Sequence, residues 1–400
     1  MLTVSLHEDP VGSRPLHSER FQVRAPFLLA LSALLHLYMA ARLVPPFPGT
    51  WAPVLLSLWL AASAVLVPAG LMARRLTPAP LSDRLAWIGF LFLGLFSSLF
   101  VLTLLREVLL LAAALVAWAV PSWRAPGLAQ QTAAGVAILA LLLSLLGLLN
   151  ARRTARVVEV DVPIAGLPAA LHGFTFAQIS DIHVGPTIRK AYLEGIVAAV
   201  NALEADVVAI TGDLVDGPVH ELGSHVAALE GLRSRHGSFF VTGNHEYYSG
   251  AGPWIAELPR LGVRVLINEH VVIERAGARL VLAGVPDYMA HHFIAAHQSD
   301  PVAALRGAPE GAGAKVLLAH QPRSASAAAE AGFDLQISGH THGGQFLPWN
   351  LFVRFQQPFT AGLHRVGRLW VYVSRGTGYW GPPKRVGAPS EITRLRLVQA

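Results

Sequence analysis

The chain has 400 residues, of which 53% are hydrophobic and only 14% charged, and its mean hydropathy of +0.47 excludes an ordinary soluble enzyme. It contains no cysteine, which excludes disulfides and thiolate metal sites. The formal net charge of +6 is modest, and without a basic stripe interleaved with aromatic residues it argues against a nucleic-acid partner.

Apolar sequence dominates the first 150 residues. Residues 1–25 form a polar segment that does not resemble a cleavable signal, because no twin arginine precedes the first apolar run. Four apolar stretches follow, at about 26–44, 51–72, 85–120 and 133–149. Each is near or above the ~20 residues that a helix needs to cross a bilayer. We therefore predict a transmembrane region over 26–150, with four helices.

The third apolar stretch leaves the number of spans open. Arg106 and Glu107 interrupt it, and we place this costly charged pair near a membrane surface. If 107–120 crossed separately there would be five spans, although that segment is short. With four spans, the basic loops predict a cytoplasmic domain anchored to the inner or plasma membrane; a fifth span would move the domain outside. A single buried helical domain is disfavoured, because the long apolar runs hold few charges. A transporter is disfavoured, because the spans lack the paired segments broken by Gly or Pro that substrate pathways use.

The sequence pattern changes after Asn150. We expect a linker and entry strand over 151–172, followed by a catalytic domain over 173–400. Short apolar runs predict strands at 174–180, 206–211, 238–242, 263–268, 279–285, 315–319, 333–338 and 369–374. Amphipathic stretches predict helices at 189–204, 222–235, 253–261 and 323–331. The alternation indicates an α/β domain with its own core, in which 307–314 is a surface loop.

Five short motifs follow apolar runs in this domain. They are Asp181-Ile182-His183, Gly212-Asp213, Gly243-Asn244-His245-Glu246, a lone His320 and Gly339-His340-Thr341-His342. Residues two apart in an extended chain point to the same side, so one segment can deliver two ligands to one place. Mixed carboxylate, amide and imidazole ligands suit Mn, Fe or Zn better than Ca. The pattern predicts two divalent metal ions at the rim of a sheet, which suits phosphoester hydrolysis.

These motifs resemble those of the calcineurin-like metallophosphoesterase superfamily. The similarity is greatest to its bacterial membrane-associated phosphohydrolase and phosphodiesterase branch, whose last metal motif matches Ser-Gly-His-Thr-His-Gly-Gly-Gln at 338–345. The Gly-Asp-Leu-Val-Asp and Gly-Asn-His-Glu motifs match as well, as does the tail around Arg375 and Arg385. The resemblance covers about 157–400. It implies a two-sheet sandwich flanked by helices, which we adopt as the expected fold.

The resemblance also implies roles for the motif residues. One metal ion would be held by Asp181, His183, Asp213 and His342, and the other by Asp213, Asn244, His320 and His340. Asp213 would bridge the two ions. His245 would not bind metal but would act as general acid toward the leaving-group oxygen, a role that suits an imidazole.

Three positions are expected to contact the substrate, and one of them, Asn244, is also a proposed ligand. A guanidinium can hold a phosphate through two hydrogen bonds, which makes Arg375 and Arg385 candidates, with a plain surface role as the equal alternative. Asn244 would face the same phosphate. Protein phosphatases of this superfamily continue the Gly-Asp motif to Asp-Arg-Gly, whereas this chain reads Asp213-Leu214-Val215-Asp216. The missing arginine favours small or lipidic phosphoesters over phosphoproteins.

We therefore expect a membrane-anchored hydrolase that cleaves a phosphodiester or pyrophosphate bond of a lipid or lipid-linked substrate by means of a metal-bridging hydroxide. The alternatives are a metal-binding membrane receptor or scaffold with a non-catalytic phosphoesterase fold, and a transport protein with a regulatory domain of this kind. The sequence leaves open the substrate, the preference for monoester or diester, the native metal and the oligomeric state.

Overall fold

The computed structural model describes residues 25–400, so the predicted polar segment lies outside the described residues apart from Ala25. The first part of the chain forms α1 Ala25–Leu43, α2 Trp51–Leu71, the short α3 Ala73–Leu76, α4 Leu81–Ala119 and α5 Leu128–Arg152. Four of these, α1, α2, α4 and α5, are long and apolar enough to cross a membrane. The prediction of four apolar helices before the α/β domain is confirmed.

The third apolar stretch forms one continuous helix. The 39 residues of α4 span about 58 Å, more than the ~30 Å of a hydrocarbon core. Arg106 is buried against the start of α5, where it donates to the Thr132 hydroxyl at 3.1 Å and to the Ala129 carbonyl at 2.9 Å. Glu107 pairs with both Arg106 and Arg42. The charged pair thus lies level with the end of α1 and the start of α5, and the helix continues past it.

The α/β domain consists of twelve strands and seven helices among the described residues. The strands are β1 Arg156–Ile164, β2 Thr175–Ile179, β3 Val207–Ile210, β4 Ser238–Phe240, β5 Val263–Val265, β6 Glu269–Arg275, β7 Ala278–Gly284, β8 Ala314–Leu318, β9 Leu335–Ser338, β10 Gly362–Val366, β11 Leu369–Val373 and β12 Glu391–Gln399. The helices are α6 Lys190–Asn201, α7 Val219–Val226, α8 Asn244–Ser249, α9 Ala251–Glu257, α10 Pro301–Ala304, α11 Ala325–Glu330 and α12 Trp349–Gln356.

The strands form two six-stranded sheets. Their orders are β1-β12-β2-β3-β4-β5 and β10-β11-β9-β8-β7-β6. Apolar side chains from both sheets, such as Phe176 and Leu395 on one and Leu282 and Leu335 on the other, form one buried cluster between them. Helices α6 and α7 pack on the outer face of the first sheet, and α11 packs on that of the second. The expected two-sheet sandwich flanked by helices is confirmed.

Three strands were not among the sequence predictions, namely β6, β10 and β12. β6 and β10 are the two edges of the second sheet, and their charged and histidine residues interrupt the apolar pattern. The predicted helix at 222–235 instead begins at Val219 and ends at Val226, followed by a 3₁₀ turn over Ala227–Gly231. Edge strands and short helices depend more on tertiary neighbours than on their own sequence pattern.

The α/β domain is joined to the apolar helices by direct contacts. The ammonium of Lys384 enters between α4 and α5, where it donates to the Gly94 carbonyl at 2.6 Å and to the Ser98 and Ser144 hydroxyls at 2.5 and 3.2 Å. Arg189 of the domain pairs with Asp83 at the start of α4 at 2.5 Å. These contacts fix one end of the sandwich against the membrane region.

Candidate metal centre

The predicted metal ligands and the predicted general acid all follow strand ends. Asp181 and His183 follow β2, Asp213 follows β3, Asn244 and His245 begin α8 after β4, His320 follows β8, and His340 and His342 follow β9. Strands β2, β3 and β4 are parallel, as are β8 and β9, so their carboxyl ends meet at one edge of each sheet. The sandwich brings the two edges together.

Five of these residues have left-handed backbone conformations. The φ angles are 54° at Asp181, 58° at His183, 51° at Asp213, 72° at His340 and 52° at His342. Such a φ angle costs a residue with a Cβ roughly 1–2 kcal/mol, although Asp and His tolerate it better than most residues. A cluster of strained positions at one place is typical of a functional site.

Two glycines allow the loops to meet. A Cβ at Gly243 would overlap the carboxylate of Asp213, and a Cβ at Gly339 would overlap the Ser180 hydroxyl and the Asp181 carboxylate. Any larger residue would therefore have to displace a proposed ligand. The glycines of Gly-Asn-His-Glu and Gly-His-Thr-His are explained by this close approach.

The first ligand cluster consists of Asp181, His183 and His342, which are all buried. The Nε2 atoms of the two histidines are 3.0 Å apart, and Nε2 of His342 is 3.6 Å from Oδ1 of Asp181. Burial, aided by the guanidinium of Arg385, lowers the pKa of His342 well below its usual value. The neutral imidazole that results is the form that binds a cation.

The second ligand cluster consists of Asp213, His320 and His340. Nε2 of His320 is 3.2 Å from Oδ2 of Asp213 and 3.1 Å from Nδ1 of His340. Burial and the neighbouring His320 lower the pKa of His340 to about 3. Oδ2 of Asp213 is also 4.0 Å from Nε2 of His183 in the first cluster, so this carboxylate lies between the two clusters, where a bridging ligand would lie.

Asn244 provides a test of whether a cation fits here. Its Oδ1 atom is buried without a hydrogen-bond partner, an arrangement that costs roughly 1–3 kcal/mol when nothing compensates it. The carboxylates and imidazoles of the two clusters and this unpartnered amide oxygen are ligand types that suit a borderline divalent cation such as Mn, Fe or Zn. The residues present therefore fit a pair of such ions.

His245 lies at the exposed side of this arrangement. Its Nδ1 donates to Oδ1 of Asp216 at 2.7 Å, and Nδ1 of His183 donates to the same oxygen at 2.9 Å. Burial lowers the pKa of His245, but the Asp213 and Asp216 carboxylates outweigh it and raise the pKa to about 9. The two histidines in turn hold the pKa of Asp216 well below its usual range, against the effect of burial.

Sequence reasoning assigned no role to Asp216 or to Glu246. Asp216 orients two proposed functional imidazoles, as outer carboxylates do in metal sites. Glu246 is fully buried and accepts four backbone N–H bonds, from Gly243 at 2.6 Å, Asp213 at 3.0 Å, Leu214 at 2.8 Å and Val215 at 3.3 Å. It thereby holds the strained Asp213 loop against the start of α8. Both residues lie within the metal motifs, and their closeness in sequence to the proposed ligands was the one indication of a role.

The two predicted phosphate-binding arginines lie beside the last metal motif, Arg385 against His342 and Arg375 against Gly343, but in different surroundings. Arg385 is 1% exposed and donates to the carbonyls of Gly378 and His342 and to Nδ1 of His342. These contacts leave its guanidinium little freedom to hold a substrate phosphate, and they orient a proposed ligand instead. Arg375 is more exposed, and its guanidinium pairs with Glu391 at 2.8 Å.

An open cleft of about 570 Å³ lies beside His245. Its walls include Asp216, Tyr248 and Arg74, and Arg74 belongs to the short helix α3 between two candidate spans. The Arg74 guanidinium donates to the Asp216 carbonyl at 2.7 Å and lies 3.3 Å from the Glu221 carboxylate. The membrane region therefore contributes a cation to the mouth of the site, which no local motif indicates.

Comparison with known proteins agrees with this geometry. Residues 174–344 match the family described as calcineurin-like phosphoesterase. A Bos taurus protein named transmembrane protein with metallophosphoesterase domain is 44% identical over 271 residues, which cover 64% of this chain and 60% of that protein. An Aquifex aeolicus protein named uncharacterized metallophosphoesterase is 33% identical, over 54% of this chain and 82% of that protein.

The chain thus spans 60% of the length of the Bos taurus relative. Among solved structures, the NAD nucleotidase of Haemophilus influenzae is 16% identical, with a TM-score of 0.37, over 52% of this chain and 45% of that protein.

Proposed function

Since the chain belongs to the calcineurin-like metallophosphoesterase family, we propose that it is a membrane-anchored hydrolase that uses two divalent cations to cleave phosphoester bonds. One observation carries this proposal: two buried ligand clusters lie side by side with the Asp213 carboxylate between them. We assign Asp181, His183, Asp213 and His342 to one ion, and Asp213, Asn244, His320 and His340 to the other. Such a pair, when bound, neutralises phosphoryl charge and provides a nucleophilic water at neutral pH.

His245 is the proposed general acid. Its ring faces the cleft, and hydrogen bonding to Asp216 orients it and favours its protonated form. A protonated imidazole at this position can give its proton to the leaving-group oxygen as the ester bond breaks. Asp216 holds His183 at the same time, so one carboxylate couples the position of the acid to that of a proposed ligand.

A lipid or lipid-linked phosphodiester or pyrophosphate is the proposed substrate class. The cleft beside His245 is lined both by the α/β domain and by Arg74 of the membrane region. A guanidinium at that place suits a second anionic group of a headgroup. A phosphodiester held in a membrane would meet this cleft without leaving the membrane surface.

The proposed sidedness is cytoplasmic. The α/β domain contacts Arg74 before α4, and Arg152 at the end of α5 donates to the Thr187 carbonyl. Both basic segments therefore lie on the side of the domain, and basic segments favour the cytoplasm. A reporter fused to the C-terminus tests this directly: signal from a periplasm-only reporter would refute the assignment.

The catalytic proposal is tested with full-length protein purified in detergent and loaded with Mn. Hydrolysis of an aryl phosphodiester is measured for the parent protein and for Asp213→Asn. We expect a loss of roughly 100-fold or more, because the proposed bridging ligand loses its charge and one of its two oxygens. Asp161→Asn is the matched control, since this carboxylate lies on the exposed surface in an ion pair with Arg396. Equal rates for Asp213→Asn and the parent would refute the site, and bound metal without any turnover would favour a receptor.

A further inference from the structure

An exposed apolar surface follows the last metal motif, and we call it the apolar ledge. It consists of Leu347, Trp349, Leu351, Phe352, Phe355 and Trp380. These side chains are between 47% and 85% exposed, with Phe355 the most exposed. A soluble surface rarely presents so many large apolar groups together, and such a patch usually marks an interaction site.

Most of the ledge lies on α12, and the orientation of this helix is inverted relative to an ordinary surface helix. Trp349, Phe352 and Phe355 recur every three residues and therefore share one face. The polar Asn350 lies on the other side, with its backbone directly against Gly344. None of the α12 residues is buried. The helix thus turns a polar residue toward the protein and its aromatic residues away from it.

The ledge is continuous with the candidate spans. The carbonyl of Leu347 accepts a hydrogen bond from Ser97 of α4 at 3.0 Å. Gly381, which follows Trp380, lies beside Phe90 of the same helix. Ser97 and Phe90 lie well within the 39-residue α4. The medium that surrounds this part of α4 therefore also contacts the apolar ledge. Because an apolar span is surrounded by lipid, that medium is the bilayer.

The ledge also reaches the proposed catalytic centre. The ring of Trp380 lies 5.9 Å from the ring of His245, in an edge-to-face arrangement. The Gln345 side chain holds the loop, because it accepts from the Trp380 backbone N–H at 2.9 Å and donates to the Trp380 carbonyl at 3.0 Å. Trp380 thus contacts the proposed general acid, and the next residue, Gly381, lies beside α4.

We infer that the apolar ledge is embedded in the bilayer that α4 spans, and that it carries the acyl or prenyl chain of a lipid phosphoester while the phosphate lies over the metal centre. This inference rests on the proposed function. Tryptophan and phenylalanine on one face of a short helix are typical of segments that lie in a membrane interface. The bilayer would supply the apolar contacts that α12 lacks in the protein.

Bilayer insertion is tested without reference to activity. Because the chain has no cysteine, Phe355→Cys gives a single labelling position on the ledge, and Val302→Cys gives a control that is 62% exposed on α10. Full-length protein is labelled with an environment-sensitive fluorophore and reconstituted in phosphatidylethanolamine and phosphatidylglycerol vesicles. Spin-labelled acyl chains should quench the Phe355→Cys label at least about fivefold more than the Val302→Cys label. Equal quenching would overturn the inference, as would shielding of the ledge label by a second copy of the chain without quenching by lipid.

The substrate part is tested with two phosphodiesters that share one leaving group, methyl p-nitrophenyl phosphate and hexadecyl p-nitrophenyl phosphate. In the double variant Phe352→Ser/Phe355→Ser, kcat/KM for the hexadecyl ester should fall at least about tenfold, with less than a twofold change for the methyl ester. Val272→Ser/Val302→Ser is the exposed control pair. An equal fall for both esters, or none for either, would overturn the inference. If the parent hydrolyses neither ester, the proposed function is refuted. The quenching experiment then still tests whether the apolar ledge is inserted in the bilayer.

Discussion

The proposed pairing of His245 with Asp216 predicts how Asp216→Asn will behave. The substitution keeps the size of the side chain but removes the charge that accepts hydrogen bonds from His245 at 2.7 Å and His183 at 2.9 Å. Replacing charge-assisted bonds by neutral ones costs about 1–2 kcal/mol, which corresponds to about 5–30-fold in rate. We expect this loss for a phosphodiester with an alkyl leaving group, which needs a proton to depart.

The pH dependence gives a second signature of the same variant. The Asp213 and Asp216 carboxylates stabilise protonated His245 and raise its pKa to about 9, against the effect of burial. The acid form is therefore present below that pH and is lost as the pH rises through it. Removing the Asp216 charge lowers the pKa, so the alkaline limb of the rate profile should move to lower pH, by about one to three units.

The assay compares p-nitrophenyl and alkyl phosphodiesters across pH for the parent, Asp216→Asn and Asp161→Asn. The Mn concentration is kept saturating for each protein, because Asp216 also orients the proposed ligand His183. A p-nitrophenolate leaves without assistance, so under these conditions its rate should fall less than about threefold in Asp216→Asn. Asp161→Asn should match the parent, because that carboxylate pairs with Arg396 on the exposed surface. An unchanged alkaline limb, or an equal loss for both leaving groups, would refute the proposed acid and its orienting carboxylate.

Three further outcomes follow from the site. Glu246→Gln should lose bound metal, since its amide cannot accept all four backbone N–H bonds. Metal analysis checks this, with Glu194→Gln at an exposed position as the control. Full metal content in Glu246→Gln would contradict the prediction. Gly339→Ala should lose activity at least 100-fold while its circular dichroism stays unchanged, because a Cβ overlaps the Asp181 carboxylate; an active variant would disprove the packing argument. After chelation, Asn244→Ala should need about 10–100-fold more Mn than the parent for half-maximal recovery, and identical metal titrations would argue against Asn244 as a ligand.

Much of the fold could be predicted from continuous apolar runs. Strands such as β2, β3 and β8 are buried between helices and the opposite sheet, so apolar residues predominate in their sequences, with Thr175, Gln178 and Lys315 as the exceptions. β12 was missed because one of its faces is solvated. There Arg394 and Arg396 pair with Glu159 and Asp161 of β1, and these charges interrupt the apolar pattern although they stabilise the pairing of the two strands.

The candidate site could likewise be predicted only in part from the sequence. The residues assigned as ligands follow strand ends in short motifs, so their approach could be predicted from local sequence and from parallel strand order. The roles of three other residues could not be predicted, because they contact backbone groups and rings that only folding brings together. These residues are Asp216, which orients two imidazoles, Glu246, which is buried against backbone N–H groups, and Arg385, whose guanidinium is hydrogen-bonded within the protein. Arg74 reaches the cleft because α3 packs against the α/β domain, a contact between distant segments that no local pattern encodes.

Metal stoichiometry tests the central claim most directly. Full-length protein, purified in detergent and dialysed against Mn, Fe or Zn, is analysed for bound metal beside Asp181→Asn and His320→Ala, which alter one ligand cluster each. The proposed centre predicts two ions per chain in the parent and about one in each variant. Fewer than one ion per parent chain, or unchanged content in both variants, would contradict it.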